Sequence, residues 1–127
     1  MKKFLATAFA TLALAAVPVL AHHSFAAEYD SSAPITVKGT VTKVEWTNPH
    51  SYVYVDVKDA NGNVVNWAIE GYPPNTLRRT GFTRDMMKQG DVVTINGWKA
   101  RDGVNRMAAR DVTFANGNKM YFGPTAQ

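Results

Sequence analysis

The sequence has no cysteine. Disulfides and thiolate metal sites are therefore excluded, and the fold must be held by its core alone. Internal repeats and low-complexity tracts are also missing, and no linker divides the chain downstream of its apolar start, which bounds it to one domain. No Ser-His-Asp signature, phosphate-binding loop or dinucleotide fingerprint occurs. Gly62-Asn63 and Gly117-Asn118 read as turns rather than phosphate cradles.

The one long uncharged run stands at the start. Met1-Lys2-Lys3 precedes an apolar stretch from Phe4 to Leu20, and Val19-Leu20-Ala21 offers small residues at the −3 and −1 positions. A basic start, an apolar middle and a small-residue exit predict a secretory signal peptide over 1–21, cut after Ala21. A retained anchor is the competing expectation, but the stretch sits at the lower edge of bilayer-spanning length and carries Pro18 near its end. Cleavage takes 127 residues to 106, enough for a self-sufficient core. Lys2 and Lys3 leave with the signal, so the basic count falls from 14 to 12 against 10 acids, a net charge of +2. That balance calls for neither nucleic acid nor anionic lipid as partner. The expected location is periplasmic or secreted, with no stable membrane anchor after cleavage.

Residues 22–34 show no clear periodicity and predict an extended N-terminal arm; an all-β domain follows over 35–122, with a tail at 123–127. Ile35, Val37 and Val41 alternate on one face, but the next apolar residues, Val44 and Trp46, have the other parity. A parity switch downstream of an interior Gly39 predicts a bulged, strongly coiled first strand. Val53, Val55 and Val57 alternate against Tyr52, Tyr54 and Asp56 in the second strand, and Asn61-Gly62 predicts a tight type I′ hairpin turn. Val65, Trp67 and Ile69 point inward from a third strand. Pro74 to Thr80 predicts a short helix ended by Gly81, and Thr83 predicts an N-cap for a second helix over Arg84 to Gln89. Further strands run from Val93 and Ile95 through residues 106–114 to Phe122. Three strands, a helical connection, then two or three strands predict a small OB-like barrel. A sandwich is the competing all-β arrangement, less favoured because the helical insertion falls between strands three and four.

The domain contains three histidines, His22, His23 and His50. Cleavage after Ala21 would make His22 the amino terminus, where its α-amine and imidazole form a chelate for one metal. His50, in Asn48-Pro49-His50 on the loop between the first two strands, is the candidate third ligand. All-nitrogen sites suit copper and other late transition metals. The eleven residues from His23 to Pro34 span at most roughly 36 Å, so the arm reaches any point of a small barrel. The plainer alternative makes His22 and His23 polar terminal residues and His50 a locally bonded loop residue.

Other constellations are weaker. The acids Glu28, Asp30, Glu45, Asp56 and Glu70 are scattered, and nothing in the spacing brings two together for acid–base work. Trp46, Tyr52, Tyr54 and Trp98 are a candidate ligand face, near the basic residues Arg78, Arg79, Arg84 and Lys88. Aromatics with basic charge hold single-stranded nucleic acid in OB barrels, but export argues against that partner; a sugar, a peptide or an envelope protein fits better. The Tyr pair as ordinary cross-strand contacts, with Trp67 in the core, is the simpler expectation. Met86-Met87 offers thioethers, which in a short helix usually serve packing.

Ala21-His22-His23-Ser24-Phe25, Tyr29-Asp30, Gly39-Thr40-Val41, Asn48-Pro49-His50, the Trp67-to-Glu70 strand end, Leu77 to Gly81 and Gly90-Asp91 together resemble a family of small exported bacterial proteins described as a domain of unknown function. The resemblance implies an OB-like barrel outside the cytoplasm and supplies no activity. The His pair and the Asn-Pro-His motif recur together in that family's pattern, which implies a functional site. The expectation that results is a non-enzymatic exported binding module holding copper, or a similar metal, at His22, His23 and His50. A metal-free envelope interaction domain is the second reading. A copper-dependent redox enzyme is the third, since it needs an open coordination position and a substrate for which the sequence gives no sign.

Overall fold

The computed structural model describes residues 24–124. The stretch 1–21 expected to be a signal peptide, His22 and His23 lie outside those residues, as does the end of the tail. Helix α1 is Ser24–Glu28, strands β1, β2 and β3 are Tyr29–Glu45, Tyr52–Lys58 and Val64–Glu70, and helix α2 is Pro74–Arg79. A 3-10 turn at Arg84–Met86 precedes β4 (Val92–Ala100), β5 (Arg106–Phe114) and β6 (Lys119–Tyr121).

The strands form one sheet in the order β3-β2-β1-β4-β5-β6, and a further β3–β5 pairing closes it into a ring. That closing pair is parallel, joining Ala68, Ile69 and Glu70 to Arg106, Met107 and Ala108, whereas the neighbours in the main order are antiparallel. The protein is thus all-β, with the sheet closure and inserted helix expected of a small OB-like barrel. The predicted bulge is present: the β1–β2 register slips between Val41 and Lys43, where the parity of apolar residues changes. Gly39 lets β1 press against β2, because a Cβ at that position would lie 2.0 Å from the Asp56 carbonyl oxygen.

Inside the ring, Val41, Val53, Val55, Ile69, Ile95 and Met107 are fully buried. One end is filled with aromatics: Phe82 packs against Phe122, Phe114 and Trp46 at centroid distances of 5.2, 6.0 and 6.1 Å. Helix α2 brings Leu77 into this core. It stops where Gly81 and Phe82 donate their amides back to the Arg78 and Leu77 carbonyls, an ending that satisfies carbonyls left free by the last turn.

Three expectations change. The segment 22–34 is not extended throughout, because Ser24–Glu28 form a helical turn and strand structure begins at Tyr29. The turn has no long apolar periodicity to announce it; Phe25 is its anchor, packed against Tyr29 and Trp98 at 5.5 and 5.7 Å. The helix expected over Arg84 to Gln89 contracts to a 3-10 turn, since Met87 takes an extended conformation and buries its side chain. The β2–β3 turn is wider than a two-residue hairpin. Asp59 accepts the amides of Asn61 and Asn63 through its carboxylate, and Gly62 carries the positive φ.

Candidate functional site

His50 lies on the β1–β2 loop, and the loop is fastened at its downstream end. The Ser51 amide donates to the Tyr72 carbonyl at 3.2 Å, and the Gly71 amide donates to the Ser51 carbonyl at 2.8 Å. These two bonds draw the loop against the end of β3. His50 Nδ1 consequently stands 3.2 Å from Glu70 Oε1 and 3.3 Å from the Gly71 carbonyl oxygen.

Glu70 is the centre of the cluster. Its side chain is 13% exposed, while that of His50 is 45% exposed. Tyr29, the first residue of β1, donates its hydroxyl to Glu70 Oε2. Tyr52 faces Glu70 directly across the β2–β3 ladder. Burial and the neighbouring Glu70 carboxylate together favour the neutral phenols: Tyr29 is raised well above the ordinary tyrosine value, and Tyr52 is pushed up to about 12. Arg106, from β5, lies 5.5 Å from the Tyr29 ring and pairs with Glu28 of α1 at 3.7 Å and Asp102 at 3.2 Å. The Arg101 amide donates to the Glu28 carbonyl and its Nε to the Ala26 carbonyl. Helix α1 is therefore tied to the same end of the barrel as His50 and Glu70.

The other acids stay apart. Glu45 pairs with Lys43 at 2.6 Å, Asp56 accepts from Asn66, and Asp30 accepts from Ser32. The four aromatics considered as a ligand face divide among three places. Tyr52 and Tyr54 stack at 6.4 Å on β2, Trp46 leans on Phe82 at the core end, and Trp98 is 5% exposed beneath Phe25. Trp98 has the outward parity of β4, and α1 covers that stretch of the strand. The basic cluster also divides, with Arg78 and Arg79 bonded to Asn75 in α2 while Arg84 and Lys88 border a separate groove beside Thr42. Met87 is packed in the core.

Among the described residues, no three His, Cys, Asp or Glu side chains converge on one metal position; His50 and Glu70 are the pair that meets. Sequence reasoning singled out His50 and Glu70 separately and missed their meeting. It also missed Tyr29 and Arg106 as neighbours, because 41 residues separate Tyr29 from Glu70 and only ring closure brings β5 to β3. No helix among the described residues is long and apolar enough to cross a membrane.

Residues 9–109 match the family described as Family of unknown function (DUF6152). The match covers well over half of the chain, which belongs to that family. No curated protein matches the chain.

Proposed function

We propose that this protein is an exported binding module that takes up copper, or a similar late transition metal, through His50 together with the His22–His23 pair. The observation that carries the proposal is the half-exposed His50 imidazole seated against Glu70 at the end of the barrel to which α1 is tied. His23 is covalently joined to Ser24, the first residue of α1, and successive Cα atoms are about 3.8 Å apart. The segment carrying both remaining imidazoles therefore departs from a helix anchored at this end. In this arrangement His22 contributes its amine and ring nitrogen, and His23 and His50 contribute imidazoles. The ion would be held by nitrogen donors, which is the preference of Cu(II) and its neighbours in the affinity series.

Native mass spectrometry of the full-length chain after export, with and without Cu(II), tests this reading. A mass beginning at His22, with one copper retained by wild type and lost in His22→Ala and His50→Ala, is the expected result. Affinity should fall between pH 7.5 and 5, since imidazole must be neutral to ligate. A mass beginning elsewhere, or no specific uptake, would remove the chelate. The Tyr52–Tyr54 stack, with Lys43 5.5 Å from the Tyr54 ring, favours the alternative of a metal-free interaction domain. A partner recovered equally by wild type and His50→Ala would support it.

A further inference from the structure

We propose that Glu70 is the positioning residue of this site: it fixes His50 in the tautomer that carries its proton on Nδ1 and leaves the Nε2 lone pair as the outward, metal-ligating atom. The inference rests on the metal-binding reading for its function, but its structural half stands by itself.

The geometry assigns the tautomer through the partners. Nδ1 has two oxygens within hydrogen-bond distance, Glu70 Oε1 at 3.2 Å and the Gly71 carbonyl at 3.3 Å. A backbone carbonyl only accepts, and an ionised carboxylate only accepts. Two acceptors facing one ring nitrogen require that nitrogen to bear the hydrogen. In the neutral ring the other nitrogen, Nε2, is then the acceptor.

Glu70 is itself held in place. The Tyr29 hydroxyl donates to Oε2, the oxygen that His50 does not use. One oxygen is thereby fixed by β1 and the other faces the imidazole. The Gly71 amide is committed to the Ser51 carbonyl, which holds the second acceptor in line. A carboxylate–imidazole–metal relay of this kind orients the ring and raises its basicity, and removing the outer carboxylate typically weakens metal binding by 10- to 100-fold.

Nitrogen-15 NMR of the metal-free protein purified after export, with the neutral His50 ring observed directly, should show the Nδ1–H tautomer. Glu70→Gln, which keeps the size and an acceptor oxygen but loses the charge, should bind Cu(II) about 10- to 100-fold more weakly than wild type. It should also raise the share of the Nε2–H tautomer while keeping the wild-type amide spectrum elsewhere. An Nε2–H ring in wild type would overturn the assignment, and so would equal Cu(II) affinity in the two proteins. Should Glu70→Gln fold poorly, Tyr29→Phe releases Oε2 alone and is expected to move the tautomer balance in the same direction by less. Failure of wild type to take up Cu(II) while Glu70→Gln still shifts the His50 tautomer would sink the metal reading and leave the orientation by Glu70 standing.

Discussion

Asp111 and Glu70 are both carboxylates withdrawn from water, with side chains 1% and 13% exposed, yet their surroundings differ in kind. Asp111, on β5, accepts from Asn96 Nδ2 at 2.7 Å and from Arg110 Nε at 2.7 Å, and Lys119 stands 3.6 Å away on β6. Asn96 in turn accepts from Thr36 of β1. Four strands are stitched together around one carboxylate, and its charge is answered by two cations. Glu70 is met instead by phenols and an imidazole, groups that carry further chemistry of their own. The first carboxylate ends a network within the fold, whereas the second passes its influence to a half-exposed ring. Burial of a charged group is therefore not the mark of a site; the identity of its partners is.

The most forceful way to break the Asp111 network is at Gly97. A Cβ there would stand 1.9 Å from the Ala108 carbonyl oxygen, next to the register slip that follows the Asn96–Asp111 pair. Gly97→Val should cost about 3 kcal/mol or more, read as a lower denaturation midpoint. An unchanged midpoint would mean that β4 and β5 adjust freely and that their register does not fix the network.

Asp111→Ala is next, at about 2 kcal/mol, because charge-assisted hydrogen bonds are lost and a buried amide is left without its acceptor. Cu(II) uptake should be unaltered in the folded variant, in contrast to Glu70→Gln. Weakened uptake in Asp111→Ala would erase the distinction between the two carboxylates.

Acid sharpens the same contrast. Burial pushes the Asp111 carboxyl up, but the hydrogen bonds from Asn96 and Arg110, with the charges of Arg110 and Lys119, outweigh it and hold the group below its ordinary value. The folded protein thus binds this proton less readily than the unfolded chain. The associated stabilisation is complete above about pH 4 and disappears as pH falls through the folded value. Wild type should lose more stability than Asp111→Asn between about pH 5 and pH 2. Parallel acid curves for the two proteins would assign the effect elsewhere.

The smallest effect concerns the phenols around Glu70. Their raised values mean that the neutral form is stabilised in the folded state, fully below about pH 10 and progressively less as pH rises through the folded values. In Glu70→Gln, alkaline titration followed by phenolate absorbance should show Tyr52 moving down from about 12. An unmoved titration would mean that burial alone holds the phenols neutral.

Much of the fold was legible in the residues. The period-2 valines of β2, the parity switch of β1 and the helical insertion after β3 together specify a coiled, closed sheet, and each feature is local. What depended on distant neighbours was not legible. Trp98 has the outward parity of its strand, and its burial follows only from the position of Phe25, 73 residues earlier. Met87 turns inward and ends the helix for which Thr83 is the N-cap; capping chemistry describes how a helix starts, not how far the core lets it run. The candidate site shows the same division. His50 and Glu70 stand out as residue types, but their contact comes from a loop clamped by the Ser51, Gly71 and Tyr72 backbone.

That clamp has a temporal side. The Tyr72 amide donates to the Phe122 carbonyl, and the Phe122 ring fills the space beside Gly71, where an added Cβ would lie 2.3 Å from the ring edge. The segment following Glu70 is thus completed by a residue 52 positions further along, and Phe122 also finishes the aromatic end of the core. During synthesis the segment between Glu70 and Tyr72 has no backing until nearly the whole barrel has been delivered. Chains truncated before Phe122 are expected to be protease-sensitive along their length, because the loop beside His50 and the aromatic end of the core both wait for the same residue.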